Sequence, residues 1–289
     1  MQANEAINVR MCADFHAHST ASDGTLTPRE LVARAAEVGV THFALTDHDT
    51  IAGLEEAAAA AEEHGIRLIN GIELSCVWRT QTIHIVGLDF DAASADFQAL
   101  LSRQEAMRWD RARLIASRLQ KAGLPDLLAT AEEEAGGGVP GRPHFASAMV
   151  REGCVDNLRL AFSRYLGAGK VGDVTRYWPE LSAIVEGIVN AGGQAVLAHP
   201  KKYRMTATKL RALLADFQAA GGVGLEVLTS GQSSGDTGFL AELCRRNGCL
   251  ASVGSDFHFP GAAWCELGRL PALPEGLQPI WERFRALNH

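Results

Sequence analysis

The sequence predicts an α/β fold built on a parallel sheet and interrupted by a helical insertion. Between Met11 and Glu73, short apolar strands alternate with helices, which is the order that parallel strands with helical crossovers require. The same alternation returns near residue 194 and continues to the end of the chain. Residues 99–176 show helical periodicity only. A barrel and a doubly wound sheet both satisfy this order.

The N-terminal elements follow from their capping and breaking residues. Residues 27–30, TPRE, place an N-cap, a proline and an early acid at the start of a helix that continues to about Val38. Further elements predicted here are a buried strand at 42–46, an alanine-rich helix at 51–64, a strand at 67–73 and a strand pair across 77–90, which carries His84.

A long helix is predicted from Ser94 to about Lys121, followed by a break at 132–138 (EEEAGGG) and two shorter helices up to about Tyr165. The later elements are predicted as a strand at 194–198, a helix at 209–219, a strand at 224–228, a helix at 235–247, a strand at 250–255 and a final helix ending near Leu287. We therefore predict a discontinuous domain of residues 11–98 and 177–289, with an insertion of residues 99–176 that covers the functional site.

Composition excludes several classes of protein. The net charge of -7 argues against binding to long duplex nucleic acid but permits a small anionic substrate held by metals. No apolar run reaches the length of a membrane span, and the opening residues MQANEAINVR lack the apolar core of a signal peptide. The six cysteines form no C-x-x-C pair, so we expect a reducing, cytoplasmic location and neither a disulfide framework nor a structural zinc ribbon.

Histidines and carboxylates cluster in or near the ends of the predicted strands. Two residues apart on an extended chain, His16 and His18 point to the same face and can hold one ion together. This recurrence at several strand ends predicts one polynuclear metal site, and donors without thiolate suit Zn, Mn or Fe. The candidate ligands are His16, His18, Asp23, His48, Glu73, His84, His199, Asp256 and His258.

Other polar residues near these motifs are assigned lesser roles. Asp14 and Asp47 are expected to support the ligands rather than to bind metal. Asp49 is equally compatible with a place beside the ligands and with a charge at the start of the next helix. No role is expected for the remaining histidines that lack a motif, which are His42, His64 and His289. The arginines between residues 103 and 118 are interpreted as a solvent-exposed helix face. The alternative is that they bind an anionic substrate together with the metals.

Four motifs in this order resemble those of the PHP (polymerase and histidinol phosphatase) family. They are His16-x-His18 with Ser22-Asp23-Gly24, the TDHD of residues 46–49, His199-Pro200, and Ser255-Asp256-x-His258. The resemblance implies a distorted (β/α)7 barrel that binds two or three divalent metal ions, most often Mn, with Fe or Zn as alternatives. It also implies phosphoester hydrolysis and gives ligand roles to the nine candidates above.

The insertion is similar to that of one bacterial branch of the family. The branch includes a 3′,5′-nucleoside bisphosphate phosphatase and a 5′→3′ exoribonuclease that acts on short RNA. The similarity lies in the GRPHFA of residues 141–146 and in residues 162–170, and it implies that Arg142 and His144 contact the phosphate. Lys170 and Arg176 are further candidates, although the Pro-aromatic-Val-Pro pattern of the branch is replaced here by VGDVT.

These features predict a phosphatase that removes the 3′-phosphate from a nucleoside 3′,5′-bisphosphate such as pAp. In that hypothesis Arg142 neutralises charge on phosphorus, and His144 or a histidine near the metals protonates the leaving alkoxide. One alternative is an exoribonuclease on short RNA with the same site. A second is a C–N amidohydrolase, for which the expected carboxylated lysine is lacking, and a third is a non-catalytic module. The expected partner is a small phosphorylated nucleotide, with no membrane partner.

Overall fold

A computed structural model describes residues 11–174, 177–261 and 264–287. The expectations for the first ten residues, for Arg176 and for His289 fall outside these ranges. Within them, no helix is both long enough and apolar enough to cross a membrane. The helices are α1 (Pro28–Glu37), α2 (Leu54–His64), α3 (Ala95–Lys121), α4 (Leu128–Glu134), α5 (Arg142–Arg151), α6 (Leu158–Ala161), α7 (Leu181–Asn190), α8 (Ala207–Ala219) and α9 (Ser234–Arg246).

Seven strands form one sheet in the order in which they occur along the chain. They are β1 (Ala13–Asp14), β2 (His42–Leu45), β3 (Arg67–Trp78), β4 (Gln81–Leu88), β5 (Gln194–Leu197), β6 (Gly224–Thr229) and β7 (Leu250–Gly254). β4 runs antiparallel to both of its neighbours, whereas all other pairs are parallel.

The first and last strands meet, so the sheet curves into a nearly closed barrel. The backbone N–H of Phe15 donates to the carbonyl of Val253 at 3.1 Å, and Ala17 forms a parallel bridge with Phe257. The antiparallel β4 distorts this barrel, because it is reached by a hairpin rather than by a helical crossover. The prediction of a distorted seven-stranded α/β barrel is confirmed.

Most element boundaries agree with the sequence predictions within a few residues, and the differences are as follows. β3 continues to Trp78 because it pairs along its whole length with β4. Helix α4 extends to Glu134, so only the glycine part of the predicted break is non-helical. Helix α7 was not predicted, and α2 begins at Leu54 rather than at residue 51.

The predicted final helix is wrong. The segment instead forms two short 3₁₀ turns, Ile280–Arg283 and Arg285–Leu287, separated by an extended residue. The backbone N–H of Arg285 donates to the Asp89 carboxylate at 2.6 Å rather than to a helical carbonyl. A tertiary hydrogen bond has therefore replaced the helical one that the periodicity favours.

An apolar cluster fills one part of the barrel and includes side chains from, or directly after, each of the seven strands. It contains Phe15, Ala44, Ile69, Val86, Leu88, Val196, Leu228, Leu250 and Val253, together with Ile280 and Phe284 from the C-terminal turns. Phe284 is fully buried, and its ring meets that of Phe15 edge to face at 5.3 Å. The C-terminal turns therefore pack on the barrel as part of its core.

A separate apolar cluster joins the second half of α3 to α4, α5 and α6. Its largest buried members include Ile115, Leu119, Phe145, Met149 and Leu166. Gly167 N–H donates to the carbonyl of Phe162 at 2.7 Å and closes the π-helical turn Phe162–Leu166 that follows α6.

We predict that Phe284→Ala lowers the free energy of unfolding by about 3–5 kcal/mol, because it leaves a cavity in the barrel core. Urea unfolding monitored by circular dichroism measures this change. Leu158→Ala is the control, because Leu158 is 51% exposed, and it should change stability by about 0.5 kcal/mol or less. A similar small change for Phe284→Ala would contradict the assignment of the C-terminal turns to the core.

Candidate metal centre

The nine predicted ligands converge at one end of the barrel. His16 and His18 follow β1, His48 follows β2, and His199 follows β5. The others are Asp23 from the loop after β1, Glu73 within β3, His84 within β4, and Asp256 and His258 after β7. His199 and Asp256 have positive φ angles of 27° and 56°, a backbone conformation that non-glycine residues seldom adopt outside functional sites.

Glu73 lies at the centre of this group and is fully buried. Each of its carboxylate oxygens faces imidazole nitrogens from several strands. Oε1 lies 2.9 Å from His199 Nε2, 3.0 Å from His84 Nδ1 and 3.3 Å from His16 Nε2. Oε2 lies 2.9 Å from His48 Nδ1 and 3.4 Å from His18 Nε2.

Within the described residues, four overlapping groups have potential ligand atoms that all lie within 4.8 Å of one another. They are His18, Asp23, His48 and His258; His16, Glu73 and His199; His16, His18 and Asp256; and His48, Glu73 and His84. Every predicted ligand is in at least one group. Because Glu73, His16, His18 and His48 each belong to two groups, the arrangement suits adjacent ions that share ligands.

Several buried polar atoms of the cluster form no hydrogen bond of acceptable geometry among the described residues, although some of them face another atom of the cluster at close range. They are His16 Nε2, both ring nitrogens of His18, Asp23 Oδ1, His48 Nδ1, Glu73 Oε2 and His199 Nδ1. Buried polar atoms that have no partner cost about 1–3 kcal/mol each. A concentration of them on imidazoles and carboxylates therefore fits divalent metal ions as the missing partners.

The ionisation of the cluster also fits metal binding. Burial opposes charge on both His16 and Asp23. The Glu73 and Glu226 carboxylates nevertheless raise the pKa of His16 to about 10, and nearby histidines lower the pKa of Asp23 below its ordinary value. Burial lowers the pKa of His258 to about 4, which leaves it neutral and ready to donate a lone pair. Because a bound ion requires neutral imidazole, metal must displace a proton from His16.

Asp14 and Asp47 support the loops that carry the candidate ligands, as the sequence predicted. Asp14 accepts hydrogen bonds from the backbone N–H groups of Ser255 and Gly268, at 2.8 and 3.0 Å. Asp47 accepts from Ser19 and Ser22, and it thereby holds the turn that leads to Asp23.

Glu226 is a site residue that the sequence analysis missed. Its carboxylate lies 3.2 Å from His16 Nδ1 and accepts the backbone N–H of His199, so it orients two candidate ligands. Gly254 permits this packing, because a Cβ there would lie 2.2 Å from the Cβ of His16. A lone carboxylate inside the apolar strand GLEVLT was the available signal.

Of the two places expected for Asp49, the structure shows the one beside the candidate ligands, because its backbone N–H donates to the Glu73 carbonyl at 2.9 Å and the next helix begins only at Leu54. The Asp49 carboxylate accepts hydrogen bonds from Ser75, Gln104 and Arg108, with the Arg108 Nε bond at 2.6 Å. Asp49 has a φ of 56°, and its side chain ties the barrel to α3. Asp49 therefore holds the guanidinium group of Arg108 beside the candidate metal ligands.

The interpretation of residues 103–118 as a solvated helix face is wrong for three of the arginines. Arg108 and Arg111 turn inward and lie near the ring of Trp178, 5.7 and 5.4 Å from its centre. Arg111 Nε donates to the Val174 carbonyl at 3.1 Å, and Arg118 donates to that of Asp173. Arg103 and Arg113 are exposed as predicted. Asp173, Val174 and Trp178, which lie far along the chain, supply partners that hold these arginines inward.

A cavity of about 390 Å³ opens beside the metal cluster, and the barrel and the insertion both line it. The cluster contributes Asp23, His48 and His84, while Arg108, Arg111 and Arg142 line the insertion side. Arg142 has its Nη1 3.6 Å from the Asp173 carboxylate.

The other substrate contacts predicted in the insertion are not found in this cavity. His144 does not line it, and its Nδ1 accepts the backbone N–H of Gly141 at 3.0 Å. Lys170 is exposed and is also absent from the lining. Arg176 lies outside the residues that the structure describes. Of the three predicted contacts that the structure describes, Arg142 is the one that faces the cavity.

The comparison with known proteins agrees with this geometry. A PHP domain model matches residues 14–121. A 5′-3′ exoribonuclease from Haemophilus influenzae is 46% identical over 94% of this chain and 98% of its own length. The chain belongs to the PHP family. Within this family, a 3′,5′-nucleoside bisphosphate phosphatase from Chromobacterium violaceum is 42% identical over 94% of this chain and 96% of its own.

Two solved structures support the assignment of the chain to this family. A Chromobacterium violaceum protein described as an amidohydrolase, with sulfate bound and no metal, superposes with a TM-score of 0.87 at 42% identity, covering 95% of this chain and 96% of that one. A Bifidobacterium adolescentis protein described as a candidate metal-dependent phosphoesterase gives a TM-score of 0.78 at 28% identity, covering 93% of both chains.

We predict that Glu226→Gln weakens the binding of divalent metal about 10- to 100-fold, because His16 and His199 lose the carboxylate that orients them. Titration calorimetry with Mn²⁺ measures the affinity. Glu242→Gln is the matched control, because the Glu242 side chain is exposed on α9 and pairs with Arg245 and Arg246. Unchanged metal affinity in the Glu226 variant would contradict a positioning role for this carboxylate.

Proposed function

We propose that this PHP-family protein is a metal-dependent phosphatase that removes the 3′-phosphate from nucleoside 3′,5′-bisphosphates. The observation that carries this proposal is that the candidate metal ligands and a group of arginines line the same cavity. A cluster of buried histidines and carboxylates with unpaired polar atoms opens into a cavity lined by three arginines. Metal ions can hold one phosphate there while arginines hold another.

The nine ligand candidates would hold two or three divalent ions, with Mn²⁺ as the preferred ion and Fe or Zn as alternatives. Oxygen and imidazole donors without thiolate support that choice. When bound, such ions supply Lewis-acid stabilisation of the phosphate oxygens and lower the pKa of water so that it becomes a nucleophile at neutral pH.

The arginines are arranged to receive a second, dianionic phosphate. Burial and the adjacent charges of Arg142 and Arg108 lower the pKa of Arg111 to about 9. Three close guanidinium groups repel one another, and an anion placed among them relieves that repulsion. We therefore place the 5′-phosphate in the arginine-lined part of the cavity and the 3′-phosphate at the metal cluster.

In this proposal residues 99–176 act as a cap that supplies the arginines and closes the site. His144 belongs to the cap, and burial lowers its pKa despite the opposing effect of Asp23. Because its Nδ1 accepts a hydrogen bond, the neutral ring carries its proton on Nε2. A neutral ring that does not line the cavity is poorly placed to protonate the leaving alkoxide.

The related proteins support small 5′-phosphorylated substrates of more than one length. The Chromobacterium violaceum relative is named a bisphosphate phosphatase, whereas the Haemophilus influenzae and Escherichia coli relatives are named 5′-3′ exoribonucleases. Both reactions break the bond between phosphorus and a ribose O3′. Exonucleolytic cleavage of short RNA is thus the second candidate, with the same ligands and the same arginines.

Hydrolysis of a C–N bond fits the cluster less well. Such sites commonly use a carboxylated lysine between the ions, and the lysines near a strand end here are Lys201 and Lys202. Lys202 is 51% exposed and its ammonium group contacts Asp256, while Lys201 pairs with Asp236 at 2.7 Å. The sulfate in the related Chromobacterium violaceum structure further supports a tetrahedral oxyanion as the ligand.

We also propose that the protein acts in the cytoplasm. The six cysteines are all free thiols, as expected for a chain that works under reducing conditions.

Phosphate release from adenosine 3′,5′-bisphosphate with Mn²⁺ tests the proposed function. We compare it with release from 5′-AMP and 3′-AMP, and we follow nucleotide release from a short 5′-phosphorylated RNA. Asp256→Ala is the inactive control. Release from the bisphosphate with 5′-AMP as product supports the phosphatase, and faster cleavage of RNA supports the exoribonuclease. No turnover of any of these substrates by metal-loaded protein would contradict both.

We predict that Arg111→Gln lowers kcat/KM for the bisphosphate about 10- to 150-fold, because it removes a charge-assisted hydrogen bond worth about 1.5–3 kcal/mol. The loss should nearly vanish for 3′-AMP, which lacks the 5′-phosphate. Arg113→Gln is the matched control on the same helix, because Arg113 is 60% exposed and pairs with Asp110. An equal loss on both substrates would contradict the placement of the 5′-phosphate beside Arg111.

A further inference from the structure

Lys202 is a cation beside the metal cluster to which the proposed function gives no role. The described arginines that line the cavity, Arg108, Arg111 and Arg142, all belong to the insertion. Lys202 lines the same cavity from the barrel, shortly after the candidate ligand His199. Its side chain is 51% exposed and is therefore available to a ligand in the cavity.

The ammonium group of Lys202 contacts one oxygen of Asp256, while the other oxygen of that carboxylate faces the metal cluster. Lys202 Nζ donates to Asp256 Oδ2. Asp256 Oδ1 lies 3.2 Å from His18 Nε2 and 3.6 Å from His16 Nε2. A single carboxylate therefore separates the charge of Lys202 from the histidines of the cluster.

The turn that carries Lys202 is anchored at both ends. It is the 3₁₀ turn Pro200–Tyr203, which directly follows β5 and His199. His199 has a φ angle of 27°, and its imidazole belongs to the cluster. At the other end, the Tyr203 hydroxyl accepts the backbone N–H of His84 at 2.9 Å and donates to the carbonyl of the same residue at 3.3 Å. These contacts keep Lys202 beside both the cavity and the cluster.

The neighbouring Lys201 has a different environment. Its Nζ pairs with the Asp236 carboxylate at 2.7 Å and lies 4.8 Å from the centre of the Phe239 ring. Lys201 does not line the cavity beside the metal cluster. The two lysines carry the same charge in different places, so Lys201 is an internal control for Lys202.

An ammonium group at this position suits the oxygens of a phosphoryl group under attack. In phosphoryl transfer, negative charge is spread over the equatorial oxygens, and preorganised donors that face them stabilise the transition state. Asp256 attracts the ammonium group less strongly once its carboxylate shares charge with a metal ion. Lys202 is then free to hydrogen-bond an oxygen of a phosphate held at the cluster.

We propose that Lys202 is a further catalytic residue, which donates a hydrogen bond to an oxygen of the phosphoryl group that is cleaved. This inference rests on the proposed function, because that function places the cleaved phosphate at the metal cluster. Lys202 acts on the phosphate that reacts, whereas Arg111 acts on the 5′-phosphate. Loss of Lys202 therefore slows every substrate, while loss of Arg111 slows those that carry a 5′-phosphate.

The experiment compares kcat of the wild type, Lys202→Gln and Lys201→Gln on pAp, 3′-AMP and a short 5′-phosphorylated RNA at saturating Mn²⁺. Lys202→Gln should lower kcat about 100-fold on each substrate that the wild type cleaves, because it removes a donor that faces the transition-state charge. Lys201→Gln should keep the wild-type rates. An unchanged kcat for Lys202→Gln, an equal loss in both variants, or a loss confined to substrates with a 5′-phosphate would overturn the proposal.

Metal affinity separates this role from one of only orienting Asp256. Titration calorimetry should show that Lys202→Gln binds Mn²⁺ as tightly as the wild type or more tightly, because a competing cation has been removed from Asp256. If Lys202 only orients Asp256, the variant binds Mn²⁺ more weakly and regains wild-type kcat at saturating metal. That pair of results would overturn the proposal.

Binding of inorganic phosphate tests the contact without turnover. In protein loaded with Mn²⁺, calorimetry should give a phosphate affinity about 10-fold weaker or more for Lys202→Gln, and an unchanged affinity for Lys201→Gln. If the wild type turns over none of the three substrates, the proposed function has failed, and this measurement decides whether Lys202 contacts a phosphate. Equal phosphate affinities in the two variants would refute the contact.

Discussion

The contact of one buried carboxylate with five imidazoles is the constraint on which the site depends. Glu73 has no exposed surface, and a buried carboxylate without counter-charge would be strongly unfavourable. The imidazoles come from the ends of β1, β2 and β5 and from within β4, so only the curved sheet brings them together. Closure of the barrel between β1 and β7 adds Asp256 beside His16 and His18. The closure of the barrel therefore determines the geometry of the site.

The barrel and the insertion contribute different chemistry. Barrel residues present neutral and anionic donors that suit cations, whereas α3 and the residues after it present guanidinium groups that suit anions. Asp49 links the two parts, because its carboxylate is fixed by Ser75 of β3 and binds Arg108 of α3. A phosphorylated substrate that contacts both parts would neutralise the arginines and complete the coordination of the ions.

The convergence of the candidate ligands could be predicted from sequence because most of them sit in short motifs at strand ends, where parallel sheets place functional groups. Glu226 was missed because it belongs to no recognisable motif and acts through its contacts with His16 and His199. The inward orientation of Arg108 and Arg111 depends on contacts with Asp49, Val174 and Trp178, which helical periodicity does not reveal. The conformation of the C-terminal segment is likewise determined by its hydrogen bond to Asp89 rather than by its local helical preference.

Anomalous diffraction at the manganese absorption edge, from crystals grown with Mn²⁺, tests the central claim most directly. The account predicts two or three peaks within the cluster, at least two of them within bonding distance of the Glu73 carboxylate. It also predicts that each of the nine candidate ligands contacts a peak. A cluster without peaks, or a single peak away from Glu73, would contradict the claim that this carboxylate organises a polynuclear metal centre.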